Sequence, residues 1–567
     1  MAKIWISSIR FSDGSTYALD QNDIVVFVGP NNSGKSKALQ NLSSKIQTVS
    51  ASGEVIAQIH LGSQGTEQEC YDYIRQNTAE STVNGQVSYK WIGNQGTELQ
   101  IKALWANRNF GINFISSFFT RLLQTDDRLT LAQRVPPIDP DEAPSHPLHY
   151  IFTSNALAQR LDTNFKNAFG VQLVRRLKIS KNLLLHVGND PIAPGEDRVS
   201  DTYIAKLDQL PFIDTQGDGM RAFAGLLIHS VVPHYSLMMI DAPEAFLHPP
   251  QARYLGRAIV NDVSQSKQLF LATHSGDILR GILDTNSSKV HVIRLQRDSA
   301  NTSINHAKLL NKADINQIWS APILRYSNVL DGLFHERVIV CESDADCTFY
   351  SAVTDWLYET QYPTIRKPDV MFIHAGGIPG MNKIVRSLLP LSVPTSVIAD
   401  FDVLNKNELQ QISTSLGATW TTINQDRQKV VQAINALPPA IPEVAAVRVT
   451  TTAELDAIQG QYITPHARDR IIDVVSHRSP WVQAKKYGRA LLTSPASIAS
   501  FDNMVAYLTA HNIFVVPTGE LESFCLAAAS SNSHSASWLT KVFEDTAKKA
   551  QAFTAASGLI KQIFNLP

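Results

Sequence analysis

Three carboxylates, Glu342, Asp344 and Asp346, follow directly on an apolar run in "VIVCESDADCTFYSAV". A second acidic pair, Asp400 and Asp402, closes another apolar run in "TSVIADFD". Carboxylates gathered in this way repel, and their pKa values rise unless a cation sits among them. Oxygen-only ligands favour Mg²⁺ or Mn²⁺ over zinc. Asp344 or Asp346 can equally serve as a cap for a following helix. Far from these acids, "GPNNSGKS" runs from Gly29 to Ser36 and fits the pattern G-x-x-x-x-G-K-S. In such a loop Gly29, Asn32, Ser33 and Gly34 let backbone amides close around phosphates. Lys35 reaches the outer phosphates, and the Ser36 hydroxyl is placed for Mg²⁺.

These residues need elements that hold them in place. "RVIVCES", "VMFIHAGG" and "TSVIADFD" read as strands separated by the helical stretches "DADCTFYSAVTDWLYE" and "GMNKIVRSLLP". That alternation predicts a parallel sheet with right-handed crossovers. Every strand then delivers its C-terminal end to one edge, so Glu342, Asp400 and Asp402 are expected on one rim. In the first half, "IVVFVGPNNSGKSKALQNL" reads as strand, turn and helix. "YSLMMIDAPEAFLHPP" is a second strand whose final Asp241 is placed to hold a magnesium water shell. "QLFLATHS" is a third, ending at His274. "DTQGDGMRAFAGLLIHS" sets Gly217 and Gly219 at the mouth of an apolar helix. Its exposed amides suit a phosphate presented by a second subunit, or the glycines simply cap the helix.

A chain of 567 residues is too long for one core and predicts two or three domains. With 50 basic and 51 acidic residues the net charge is −1, so any nucleic-acid contact must use a local patch. Four cysteines lack zinc-finger spacing and are too few for a disulfide framework. The N-terminus has no apolar signal core, and no segment approaches the roughly 20 apolar residues of a membrane span. A cytoplasmic protein with no membrane partner is expected.

The order of P-loop, glycine-led helix, "DAPEAFLHP" and "ATHS" resembles the ATP-binding-cassette (ABC) ATPases, in the branch shared with recombination and chromosome-maintenance proteins. The resemblance covers residues 1–310 and implies two heads sandwiching two ATP molecules, with His274 sensing the γ-phosphate. That family usually carries a glutamate directly after the magnesium-binding aspartate. Here Ala242 stands there and the nearest acid is Glu244. Either Glu244 substitutes, or hydrolysis is slow and ATP acts as a clamp; slow hydrolysis is the expectation. Residues 55–210 are read as an inserted region of hairpins and dimerising helices, in which Arg175, Arg176, Lys178 and Lys181 lie on a solvated helix face rather than on phosphate.

The second half resembles the TOPRIM fold of topoisomerases, primases and OLD-family nucleases. Glu342 with Asp346, and Asp400 with Asp402, match that family's acids, and Gly376–Gly377 its glycine turn. The resemblance implies that Glu520 or Glu522 completes a second metal site. It also implies that Lys485 or Lys486, with Lys486 taken as the candidate, steadies the phosphate. The expected fold class is α/β: an ABC-type P-loop ATPase head with an inserted helical/β dimerisation region, then a TOPRIM parallel-sheet domain. Its boundaries are 1–310, a connecting segment 311–335, TOPRIM 336–530 and a C-terminal helical segment 531–567. No flexible linker composition marks the join, so the halves are expected to be docked. Head and TOPRIM in this order resemble the OLD (overcoming lysogenization defect) nucleases. The resemblance implies metal-dependent endonuclease activity gated by ATP, on DNA ahead of RNA. It also implies a homodimer or larger homo-oligomer and a role in bacterial anti-phage defence, with or without a partner from the same system. The alternative is an ATP-switched sensor or scaffold whose TOPRIM module binds without cutting.

Overall fold

A computed structural model describes residues 2–83, 86–91, 94–139, 142–178, 180–263, 267–298, 301, 303–310, 313, 328–438, 444–458, 460, 462–464, 467–468, 471–472, 475, 479–529 and 535–567. The chain forms two compact units. One comprises Met1–Arg325 with Leu333–His335, the other Tyr326–Gly332 with Glu336–Pro567. The connecting segment expected at 311–335 lies mostly outside the described residues, as does the boundary expected at 530/531.

In the first unit Ile24–Val28 is buried at every position, as a strand covered on both faces must be. It sits inside a six-stranded sheet. The order is Asn305–Leu309, Val290–Arg297, Ile24–Val28, Gln268–Ala272, Leu237–Asp241 and Thr120–Leu123. All neighbours run parallel except Asn305–Leu309 against Val290–Arg297. A separate antiparallel sheet, Thr16–Ala18, Lys3–Phe11 and Ile56–Gln64, shares one apolar core with it. The helix Lys35–Gln47 closes that core with Ala38, Leu39, Leu42 and Ile46, which recur at helical spacing on one face. Gln268 ties the sheets together. Its amide accepts from Ile6 N at 2.8 Å and donates to the carbonyls of Ile6 and Asp20 at 2.8 and 3.0 Å.

The expected insertion at 55–210 therefore needs correction at two places. Ile56–Gln64 pairs along the N-terminal strand, and Thr120–Leu123 is the edge strand beside Leu237–Asp241. Both complete sheets rather than interrupt them. The basic stretch also differs from its expectation. Helix Asn155–Phe169 ends at Gly170, in a left-handed conformation, and Gln172–Arg175 is a strand paired with Leu185–Gly188. Arg175 bonds the carbonyls of Ile151 and Phe152, Arg176 pairs with Asp208, and Lys178 pairs with Asp201.

In the second unit four strands are all parallel, in the order Val370–His374, Arg337–Cys341, Thr395–Ala399, Ile513–Val515. Helices Asp344–Thr360 and Ile378–Leu388 follow the Arg337–Cys341 and Val370–His374 strands. The C-terminal helical segment expected at 531–567 contributes to this unit's core. Trp538, Phe553, Ala556 and Ile560 pack with Ile339, Phe349 and Phe524. Among the described residues no helix is long and apolar enough to cross a membrane.

Candidate metal and nucleotide sites

The acids stand where the parallel sheet predicts. Glu342 directly follows Arg337–Cys341, and Asp400 directly follows Thr395–Ala399. Asp402 lies in the 3₁₀ turn Phe401–Asn405, whose start is held by Phe401 N donating to Gly519 O at 2.7 Å. One carboxylate oxygen from each of Glu342, Asp400 and Asp402 lies within 4.8 Å of the others. Glu342 Oε2 and Asp402 Oδ1 are buried and accept no hydrogen bond among the described residues. Burial pushes the Glu342 carboxyl up, with Asp402 and Asp346 adding to the rise. Burial also pushes Asp400 well above the usual range, and repulsion from Asp346 and Glu342 adds to it. Convergent oxygen donors with unbonded buried lone pairs fit a hard divalent cation such as Mg²⁺.

Lys485 lies among these acids, with its Nζ 3.4 Å from Asp400 and 3.8 Å from both Asp402 and Glu520. Burial alone would depress its pKa, but the surrounding carboxylates hold it above the usual lysine value. Lys486, the residue singled out from the sequence, instead lies over the Tyr487 ring at 5.4 Å. The two lysines are consecutive on the helix Pro480–Tyr487, so they point about 100° apart and only one can face the rim.

Asp346 is not among the three converging acids. It forms a capping box, accepting from Ser343 N and Ser343 Oγ at 2.8 Å each, while Ser343 Oγ accepts from Asp346 N at 3.3 Å. Asp344 is exposed in the first helical turn. Glu520 ends the loop after Ile513–Val515, and burial pushes its carboxyl up to about 7, with Glu522 contributing. The turn Gly376–Gly377, with φ of 68° and 108°, donates from Gly377 N to Glu342 O at 2.9 Å and so fixes the backbone of the first acid.

In the first unit the loop after Ile24–Val28 holds Gly29, Asn32 and Gly34 at φ of 145°, 63° and 91°. A Cβ on Gly29 would meet Leu295 O at 2.1 Å, so only glycine fits there. Ser33 is buried, and its Oγ has no hydrogen-bond partner among the described residues. Lys35 Nζ folds back onto the carbonyls of Gly29 and Pro30 at 2.8 Å each. Ser36 Oγ donates to Asp241 Oδ1 at 2.8 Å, bringing together two side chains expected at one magnesium ion. Glu244 accepts from Thr273 Oγ1 at 2.8 Å and from His274 N at 2.9 Å. Gly217 is the N-cap of the helix Asp218–Ser230, and Gly219 lies in its first turn. A Cβ on Gly219 would strike Phe246 O at 2.7 Å, whereas Gly217 has open space around it.

One residue that the sequence did not mark underlies this site. Arg128 is fully buried and donates to the backbone carbonyls of Asp241 and Ala242, beside Glu244. Burial lowers its pKa to about 10. It holds Ala242 where the chain turns into the left-handed region at φ 44°. Arg128→Met leaves two carbonyls without their charged donor. It is expected to destabilise the first unit by about 3 kcal/mol or more, read as a lowered midpoint in urea followed by circular dichroism.

No family model matches the chain, and no curated protein does. Solved structures to which it is similar include an Smc head bound to the C-winged helix domain of ScpA. That likeness has 11% identity and a TM-score of 0.34, and covers 55% of this chain and 100% of the other. A second is an Smc head domain with an extended coiled coil, bound to the C-terminal domain of ScpA derived from Pyrococcus furiosus. It has 11% identity and a TM-score of 0.32, and covers 56% and 98%. A third is the SMC head domain from Thermotoga maritima, at 11% identity and TM-score 0.27, covering 55% and 99%.

Proposed function

We propose that the first unit binds ATP with Mg²⁺ and that the second cuts nucleic acid with a divalent metal, in the manner of the OLD nucleases. The observation that carries this reading is the convergence of Glu342, Asp400 and Asp402 within 4.8 Å, with the Lys485 ammonium beside them. A divalent cation at that rim supplies Lewis-acid stabilisation of a phosphodiester and a more acidic water. Glu342, Asp400 and Asp402 would hold it, and their repulsion would be relieved by it. Lys485 supplies a further positive charge for a non-bridging phosphate oxygen. DNA is the preferred substrate and anti-phage defence the preferred setting, both on the resemblance. The test is incubation of plasmid DNA and of total RNA with Mg²⁺ or Mn²⁺, with and without ATP. Cleavage supports the reading. A wild type that cuts neither replaces it with the ATP-switched scaffold.

The nucleotide half is tested separately. Lys35 is the loop's cation for the outer phosphates, so Lys35→Ala is expected to abolish detectable ATP binding by calorimetry. Gly217 has open space and an ordinary backbone conformation, φ −59° and ψ 152°, so nothing among the described residues demands a glycine there. A second head approaching that helix would demand one. Light scattering is therefore expected to give at least a dimer with ATP for wild type, and a weaker association for Lys35→Ala.

A further inference from the structure

The acids of the second unit have an aromatic neighbour that the cleavage reading does not use. Phe401 stands between Asp400 and Asp402 and is buried. Trp481 lies beside it, with ring centroids 6.4 Å apart and planes tilted by 38°. Trp481 sits in the first turn of the helix Pro480–Tyr487, four residues before Lys485. Residues at that spacing share one helix face, with about 6 Å between their Cβ atoms. Lys485 faces the acids, so the indole belongs to the acid-facing side of the same helix. Its edge is anchored, because Nε1 donates to Asn435 Oδ1 at 2.8 Å, yet the residue stays partly exposed. Phe401 has a closer partner for its own packing in Phe501, stacked at 5.3 Å. The helix is also held tightly. Ser479 Oγ caps its start, accepting from Trp481 N at 3.3 Å. Gly488 leaves no room for a Cβ against Pro517 O, nor does Gly519 against Lys485 O. Gly519 O in turn accepts from Phe401 N at 2.7 Å. Indole, ammonium and acids therefore belong to one closely packed block.

We propose that Trp481 is a stacking platform for the base of the nucleotide whose phosphate is cut, and that the substrate of this site is an unpaired DNA strand. This rests on the cleavage reading above and names its substrate class. One nucleotide spans the two residues, with its phosphate at Lys485 and its base on the indole. A base inside a duplex spends its faces on stacked neighbours and its Watson–Crick edge on its partner, so only an unpaired base can turn a face to Trp481. Every base has a π-face, so the platform selects for unpairing and not for sequence. Locally opened plasmid and the loops of folded RNA present such bases as well.

The experiment uses the full chain with Mg²⁺ and one DNA oligonucleotide, offered as a single strand, as a duplex, and as single strands with one base removed at successive positions. Wild type should cut the single strand in preference to the duplex. Trp481→Leu keeps an apolar side chain beside Phe401 but has no π-face, and its kcat/KM on the single strand should fall about tenfold or more. Trp481→Phe should recover most of that loss. Removing the base at the cut should cost wild type a similar factor and cost Trp481→Leu nothing further, because base and indole are two halves of one interaction. A packing role for Trp481 would instead make the two losses multiply. Multiplying losses, Trp481→Leu cutting the single strand like wild type, or a wild type that prefers the duplex each overturn the proposal. Should Trp481→Leu not fold, the base-removal series on wild type decides alone, and a series with no sensitive position overturns the proposal. A wild type that cuts neither form fails at the nuclease reading itself and takes this assignment with it.

Discussion

Asp400→Ala is expected to reduce metal-dependent cleavage at least about a thousandfold. The substitution removes one of three oxygens that lie within 4.8 Å of one another. Losing metal-centred stabilisation forfeits several kcal/mol, and each 1.4 kcal/mol is about tenfold in rate. ATP binding should survive, because Asp400 belongs to the second unit and the Gly29–Ser36 loop to the first. Asp344→Ala is the control. It sits two residues from Glu342 but is exposed and outside the convergent set, so it should cut like wild type. A readout that needs no substrate accompanies this one. The carboxyls of Glu342 and Asp400 are pushed up by burial and by repulsion from neighbouring carboxylates, so a cation that relieves them must stabilise the fold. At a concentration a hundred times its dissociation constant, Mg²⁺ should add about 2.7 kcal/mol. The resulting rise in melting temperature should be absent from Asp400→Ala. Cleavage by Asp400→Ala at the wild-type rate removes the metal-site reading.

Lys485→Ala carries the second large effect. Its ammonium lies within 3.8 Å of Asp400, Asp402 and Glu520, and no other lysine or arginine pairs with those acids among the described residues. Removing one preorganised charge from a transition state typically costs about 10²–10³ in rate, and cleavage should fall by that order. Metal-free protein should also melt earlier, because the acids lose their counter-charge, while added Mg²⁺ should recover part of the loss. Lys486→Ala tests the direction of the helix. With its ammonium over the Tyr487 ring, it should stay close to wild type. If Lys486→Ala loses cleavage and Lys485→Ala does not, the assignment of the phosphate-facing lysine reverses.

What was legible in the sequence, and what was not, follows from how local each signal is. The phosphate loop could be read directly, because strand, glycines, lysine and serine are contiguous and each glycine meets a backbone need. Glu342, Asp400 and Asp402 could be placed on one rim without coordinates, because a parallel sheet sends every strand end to the same edge. The lysine could not be chosen, since neighbours on a short helix differ only in direction, and Trp481 and Tyr487 give no clear apolar stripe to set the phase. Asp346 was readable in a different sense: Ser343 three residues before it is a capping-box spacing, and that signal was outweighed by the match to a metal motif. Arg128 had no local signal at all. It lies 113 residues before the carbonyl of Asp241 that it holds, and a buried arginine looks like any other in a polar loop. The edge strand Thr120–Leu123 was hidden for a related reason, being four residues long and recognisable only beside its partner.

The two halves own separate apolar cores, one around Phe27, Phe270 and Leu39, the other around Ile339, Phe349 and Trp538. In evolutionary terms this decouples their fates. A substitution that erases an acid at the rim spends none of the packing that holds the phosphate loop, and the reverse is equally true. Selection can therefore silence either chemistry by single steps while a folded, expressible chain persists. Lineages descending from such a chain are free to keep a nucleotide-responsive protein after the cutting residues have gone, and to recruit it to a new task.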